Sequence, residues 1–210
     1  MSQETKHVHI TFPSGNEYKG EWSDDKQNGF GIMNFANLDR YEGGWKDGNM
    51  EGFGKYSIYD SACDSYSSYY EGDFVNGKFD GVGRMVFSDH TTYEGQWQVG
   101  VRCGDGVAVF PNGDVFHGLW QQDKMLRGVY SLKNGDKYDG ELVNGKFEGF
   151  GKYFWSDGKW YEGLWKDGQM DKGMMFYPNG TFSDIEEGKN LLYIIHLCIL
   201  CEGNQKRSCC

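Results

Sequence analysis

The sequence predicts an all-β protein: an elongated, single-layer antiparallel meander of about seven β-hairpin repeats with a short C-terminal apolar tail. Three observations carry this prediction. A short motif of fixed shape recurs seven times at a nearly constant step. Glycine supplies 32 of 210 residues and arrives every few positions, which excludes helix over most of the chain. The 14 Phe, 14 Tyr and 7 Trp outnumber the 28 Leu, Ile and Val, so rings and bare backbone must pack where aliphatics pack in an ordinary domain.

The elements follow in order. Residues 1–17 form a half repeat or cap, because Phe12-Pro-Ser-Gly15 matches Phe110-Pro-Asn-Gly113 and stands six residues before the next aromatic, as that segment does. The array spans 18–185. Its units open on Tyr18-Lys-Gly-Glu-Trp22, Tyr41-Glu-Gly-Gly-Trp45, Tyr70-Glu-Gly-Asp-Phe74 and Tyr93-Glu-Gly-Gln-Trp97, then on Phe116-His-Gly-Leu-Trp120, Tyr138-Asp-Gly-Glu-Leu142 and Tyr161-Glu-Gly-Leu-Trp165. The intervals are 23, 29, 23, 23, 22 and 23 residues. Tyr18, Gly20 and Trp22 share one strand face, and Lys19 and Glu21 share the other. Tips such as Asp47-Gly48, Asn76-Gly77, Asn144-Gly145 and Asn179-Gly180 supply positive φ for turns. Each unit is therefore strand, turn, strand, turn, or about 14 strands over roughly 65 Å at ~4.8 Å spacing.

Each second half carries Gly-x-Gly at Gly29/Gly31, Gly52/Gly54, Gly81/Gly83, Gly104/Gly106 and Gly149/Gly151. Units five and seven are one residue shorter and keep only Gly128 and Gly173. A glycine inside a strand weakens it unless something covers it. The expected cover is a ring from a neighbouring hairpin lying flat over the backbone, so Gly81→Val is expected to cost more than ~1 kcal/mol. Such units are stable only when stacked.

Tyr41-Glu-Gly-Gly-Trp-Lys-Asp-Gly-Asn-Met-Glu-Gly-Phe-Gly54 and Tyr70-Glu-Gly-Asp-Phe-Val-Asn-Gly-Lys-Phe-Asp-Gly-Val-Gly83 resemble the MORN repeat (membrane occupation and recognition nexus). The resemblance covers residues 8 to 185. It implies a grooved meander that binds partners, often a helical segment of another protein. The chain is most similar to repeat-only members. The six extra residues in unit two, near Ser57–Ser68, resemble an insertion in small ciliary and testis members. That likeness implies a cytoplasmic scaffold in cilium, sperm flagellum or cytoskeletal assembly, with an axonemal, transport or motor protein as partner.

Charge and cysteine usage narrow the functions. Lys and Arg number 21 against 31 Asp and Glu, a net charge of −10, which disfavours nucleic acid and anionic membranes. Two of the six cysteines lie in the array, so a secreted disulfide framework is not expected. The Gly-x-Gly pairs do not continue as phosphate loops, and no metalloenzyme or nucleophile–base pattern occurs. No catalytic residue, cofactor or metal is expected, and the chain is not expected to be an enzyme.

The partner-binding candidates are Tyr41, Trp45, Tyr70, Phe74, Tyr93, Trp97, Tyr161 and Trp165, rings that grip an apolar segment unless they are simply core. Glu42, Glu71, Glu94, Asp139 and Glu162 alternate to the other side, as a solvated face or as an acidic strip selecting basic partners. Residues 186–210 break the period. Leu191–Leu200 holds seven of the 28 aliphatics and reads as a cap over the last hairpin or as unrelated sequence. Cys198, Cys201, Cys209 and Cys210 match no zinc module closely. Cys209 and Cys210 after Lys206-Arg207 offer lipidation, which leaves a membrane-proximal tether as the alternative function.

Overall fold

The computed structural model describes residues 5–186 and 189–191, which form one sheet of seventeen strands. In chain order these are β1 (Lys6–Thr11), β2 (Glu17–Ser23), β3 (Lys26–Asn34), β4 (Arg40–Lys46), β5 (Asn49–Asp60) and β6 (Ser65–Val75). They continue as β7 (Lys78–Val86), β8 (Thr92–Gln98), β9 (Val101–Val109), β10 (Val115–Gln121), β11 (Lys124–Ser131) and β12 (Lys137–Val143). The last are β13 (Lys146–Phe154), β14 (Trp160–Lys166), β15 (Gln169–Phe176), β16 (Phe182–Glu186) and β17 (Lys189–Leu191).

Every strand pairs antiparallel with its neighbour in sequence, giving an open meander. The three strands beyond the expected fourteen are the half unit β1, the partial unit β16 and the short β17. The six extra residues of unit two lengthen β5 and β6 into one long hairpin. Its neighbours keep their register.

The core is made by one face of this single layer folding its own rings down. Tyr18, Tyr41, Tyr70, Tyr93, Phe116, Tyr138 and Tyr161 are completely buried. Each tyrosine lies across the glycine pair of its own hairpin. A Cβ at Gly54 would stand 2.6 Å from Cζ of Tyr41, and one at Gly151 would stand 2.6 Å from Cε2 of Tyr138. The covering ring is thus local, where the sequence pointed to a neighbouring hairpin. Each tyrosine hydroxyl donates to the carbonyl three residues on, at 2.7–3.0 Å: Glu21, Gly44, Asp73, Gln96, Glu141 and Leu164. The ring face thereby satisfies its one polar atom.

The two glycines of Gly-x-Gly do different work. The second lies beneath the ring. The first holds a positive φ (+87° at Gly29, +73° at Gly52, +62° at Gly81), where the second strand bulges. Gly81 faces Asp73 and not a ring, so the position that carries the ring-cover argument in that unit is Gly83. From the Gly20–Gly31 pair to the Trp22–Gln27 pair, four residues oppose two. From Gly118–Gly128 to Trp120–Met125, three oppose two. Units five and seven lost their residue inside the bulge, the one place where a deletion leaves the ring-bearing pairs aligned.

Successive units are stapled by the second aromatic. Trp45, Trp97, Trp120 and Trp165 each donate Nε1–H to the second glycine carbonyl of the preceding unit (Gly31, Gly83, Gly106, Gly151) at 3.1–3.2 Å. Each stands edge-on to the leading ring of its own unit and of the unit before, as Trp97 does to Tyr93 and Tyr70 at 5.2 and 5.3 Å. Along one margin, turn residues Asn16, Asp39, Asp114 and Asp136 accept from backbone N–H groups of Ala36, Tyr59, Lys133 and Ser156 at 2.8–3.0 Å.

Phe116 lacks the hydroxyl that its six counterparts use. Phe116→Tyr is expected to stabilise the protein by about 1 kcal/mol through a bond to the Leu119 carbonyl. An unchanged or lower denaturation midpoint would contradict that geometry.

Burial pushes the phenols of Tyr18, Tyr93, Tyr138 and Tyr161 up to about 12, helped by neighbouring carboxylates such as Glu21 beside Tyr18. Tyr41 and Tyr70 are raised for the same reason. An unfolded phenol ionises near pH ~10. Between about pH 10 and 12 the unfolded chain therefore releases protons that the folded chain retains, and stability falls as pH rises. Below that window these rings add no pH dependence. Alkaline titration should show phenolate absorbance rising together with loss of the β-sheet circular dichroism signal. Ionisation of the stacked rings in an intact sheet would refute this.

Candidate functional site: the charged, apolar-edged open face

The structure places all eight ring candidates in the core. Tyr41, Tyr70, Tyr93 and Tyr161 have no exposed surface, and Trp45, Phe74, Trp97 and Trp165 have 7, 1, 6 and 6 %. They lie together on one face, where each leading tyrosine lies against its own glycine pair and Tyr41, Tyr70 and Tyr93 also meet the next unit's second ring, Phe74, Trp97 and Trp120. A ring in that position supports the sheet and offers a partner almost no surface, the core role that the sequence also allowed for these eight. Cys209 and Cys210, with the remainder of the tail, lie outside the described residues, so the lipidation reading gains nothing here.

The opposite face is the accessible one. Shallow depressions of about 640, 410 and 180 Å³ open on it. The depression of about 640 Å³ is lined by Val82, Arg84, Thr92, Glu94, Val107, Val109 and His117 near the middle of the array.

Cross-strand register sorts this face into three rows. The central row runs Lys19, Ile32, Glu42, Lys55, Glu71, Arg84, Glu94, each residue opposite the next. Further along it Asp139, Lys152 and Glu162 are consecutive, with Lys152 Nζ 3.1 Å from Glu162. The five acids noted in the sequence do share this face. Lys55, Arg84 and Lys152 stand between them, so the row alternates in sign and is not an acidic strip. Ladders of this kind contribute little stability while exposed. Their main effect is to set the register of whatever lies along them.

One flanking row consists of residues that the repeat leaves free to vary: the middle of Gly-x-Gly and the residue before the second aromatic. Phe30, Phe53, Val82, Leu119, Phe150 and Leu164 stand 45–65 % exposed there. Phe150 and Leu164 are directly paired. Phe30 is paired with Gly44 and Phe53 with Asp73. The other flanking row changes from Val86, Thr92, Val109 and Val115 to Phe154, Trp160, Phe176 and Phe182 toward the C-terminal end. Trp160 and Phe176 stack at 3.8 Å with planes 7° apart. Among the described residues no group of three or more His, Cys, Asp or Glu is placed to hold a metal ion, and no helix is long and apolar enough to cross a membrane.

The MORN repeat family pattern matches residues 18–40, 41–62, 70–92, 93–115, 138–160 and 161–182, more than half of the chain. The chain belongs to the MORN-repeat family. The pattern passes over 116–137, the unit with Phe116 for Tyr and the shortened bulge. That unit is nonetheless built as a MORN hairpin, with Phe116 fully buried and Trp120 bonded to Gly106. No curated protein sequence matches this MORN chain. Among solved structures it is similar to the TCP10 domain of Danio rerio CPAP at 16 % identity, with 85 % of this chain and 83 % of that one covered and a TM-score of 0.49. It is also similar to the Drosophila melanogaster SAS-4 TCP domain, solved in complex with a proline-rich motif of Ana2. There the identity is 13 %, the coverage 86 % and 90 %, and the TM-score 0.48.

Proposed function

We propose that this MORN array is a non-enzymatic interaction scaffold that holds a helical or extended segment of another protein along its exposed charged face. The observation that carries the reading is the row of exposed apolar side chains there, Phe30, Phe53, Val82, Leu119, Phe150 and Leu164, at positions where the repeat itself requires no ring. A folded array gains nothing from Phe53 at 65 % exposure, whereas a partner burying it gains roughly 1–2 kcal/mol. The alternating central row then fixes register by charge. The setting is cytoskeletal or ciliary assembly, which the resemblance to repeat-only members implies, with an axonemal, transport or motor protein as partner.

The test is affinity capture from ciliated cells with the full chain, Phe53→Ser and Phe150→Ser, read by quantitative mass spectrometry. Both variants should keep their melting temperature, being surface changes. A specific partner should be depleted about ten-fold in each, the equivalent of ~1.4 kcal/mol. Retention of every captured protein by both variants would overturn the reading.

A further inference from the structure

The exposed apolar side chains of the open face recur with a period of their own. Phe30 on β3, Phe53 on β5 and Val82 on β7 stand on alternate strands of one row. The strands between carry Gly44, Asp73 and Gln96, which the register sets opposite Phe30, Phe53 and Val82. At a strand spacing of ~4.8 Å, the face therefore offers an apolar contact about every 9.6 Å along the array.

A segment lying along the array must present its own apolar residues at that step. The seam of an α-helix returns every ~3.5 residues, or about 5.3 Å, and would set every second apolar residue over a polar strand position such as Asp73 or Gln96. A β-strand returns to one side about every 6.7 Å and falls out of step after one contact. A polyproline II helix has three residues per turn and returns about every 9.3 Å. Two of its turns cover about 18.6 Å, against the ~19 Å of four strand spacings from β3 to β7.

Charge sets a second requirement. In the three rows over β6 to β9, the acids Glu71, Asp73, Glu94 and Asp105 stand with one base, Arg84. Lys55, the next base along the central row, lies over the Tyr69 ring at 4.3 Å. Among the described residues Glu71 and Glu94 are in no ion pair. They stand on β6 and β8, one strand out of phase with Phe53 and Val82 and with the same two-strand period. In a polyproline II segment, a Lys or Arg one or two residues from the apolar one falls within about 2 Å of that phase. The acidic stretch continues into the depression of about 640 Å³, which Glu94 and Asp105 help to line.

We propose that the segment held on this face is a cationic polyproline II stretch with a three-residue repeat, one apolar residue and one Lys or Arg per turn, laid across β3 to β8. Phe30, Phe53 and Val82 take the apolar residues, and Glu71 and Glu94 take the cations. Such a backbone has no internal hydrogen bonds and is already extended in solution, so it loses little entropy on docking. It also asks for no backbone ladder from strands whose own groups are paired within the sheet. The assignment rests on the scaffold reading and narrows its segment to one conformation and one charge.

Fluorescence anisotropy on the full chain tests it with three labelled peptides of equal length and charge: five Leu-Pro-Lys repeats, a shuffled isomer without the period, and a heptad-patterned helix former. The repeat peptide should bind about ten-fold tighter than either of the others. Phe53→Ser should weaken it about ten-fold, and so should Glu71→Lys combined with Glu94→Lys. Equal affinity for the repeat and shuffled peptides, tighter binding of the helix former, or no binding of the repeat peptide overturns the inference. The scaffold reading falls separately, on retention of every captured cellular protein by Phe53→Ser and Phe150→Ser.

Discussion

Gly54→Ala is expected to be among the most damaging single-methyl additions in the protein, lowering stability by about 3–5 kcal/mol. The added Cβ falls 2.6 Å from Cε2 and Cζ of Tyr41, a ring with no exposed surface. The strand cannot retreat, because Gly54 is paired to Gly43 on one side and to Gly72 on the other. The ring must therefore leave, and with it go its hydroxyl bond to the Gly44 carbonyl and its edge contacts with Trp45 and Phe74. Gly52, two residues earlier, provides the control. Nothing lies within 4 Å of a Cβ there, so Gly52→Ala should cost only the ~1–2 kcal/mol of a positive φ of +73°. Once Tyr41→Ala has been made, adding Gly54→Ala should cost little more. Chemical denaturation of the four chains measures all of this. Equal costs at positions 52 and 54 would refute the ring-over-glycine account.

Trp97→Ala is expected to cost about 3–5 kcal/mol and to split unfolding into two transitions. Trp97 joins units three and four. It contacts Phe79, Tyr70 and Tyr93 at centroid distances of 5.6, 5.3 and 5.2 Å and bonds the Gly83 carbonyl at 3.1 Å. Stability in a stacked array is approximately the sum of units and interfaces, so removing one interface term lets the two parts melt separately. Trp97→Phe should cost much less, near 1 kcal/mol for the lost hydrogen bond. The protein already uses that substitute at Phe74, which is 1 % exposed and lies edge-on to Tyr41 at 4.9 Å. Scanning calorimetry that gives a single unshifted transition for Trp97→Ala would refute the staple.

The fold was legible because its determinants are repeated. Tyr, Gly and Trp at i, i+2 and i+4 can share only one strand face, and seven copies leave no ambiguity about period. The site was less legible for a physical reason. Alternation reveals that a sheet has two faces but not which one is covered, so in a single layer a ring reads equally as core or as contact. What the sequence does not display is that Tyr41 lies down over Gly43 and Gly54, which buries the most partner-like residues. The accessible positions, Phe30, Phe53 and Phe150, sit between the two glycines, outside the recurring residues that define the motif. Gly81 and Gly83 were indistinguishable for a related reason, since only the bulge register separates a positive-φ glycine from one beneath a ring. The pairing of Trp160 with Phe176 was also hidden, because both flank turns and neither belongs to the recurring motif.

The strictly sequential pairing of β1 through β17 also has a mechanical consequence. The inter-strand hydrogen bonds run along the length of the array, so tension applied between its ends peels hairpins from the margins one at a time and does not shear many bonds together. Each released unit of 22 or 23 residues lengthens the molecule by about 70 Å, the difference between an extended chain and two strand spacings. The tryptophan bonds to the preceding unit set the barrier to each release. The junctions before units three and six, which Phe74 and Leu142 span without that donor, resist least when the peeling reaches them. A protein built in this way is a graded extensible link whose resistance is tuned unit by unit.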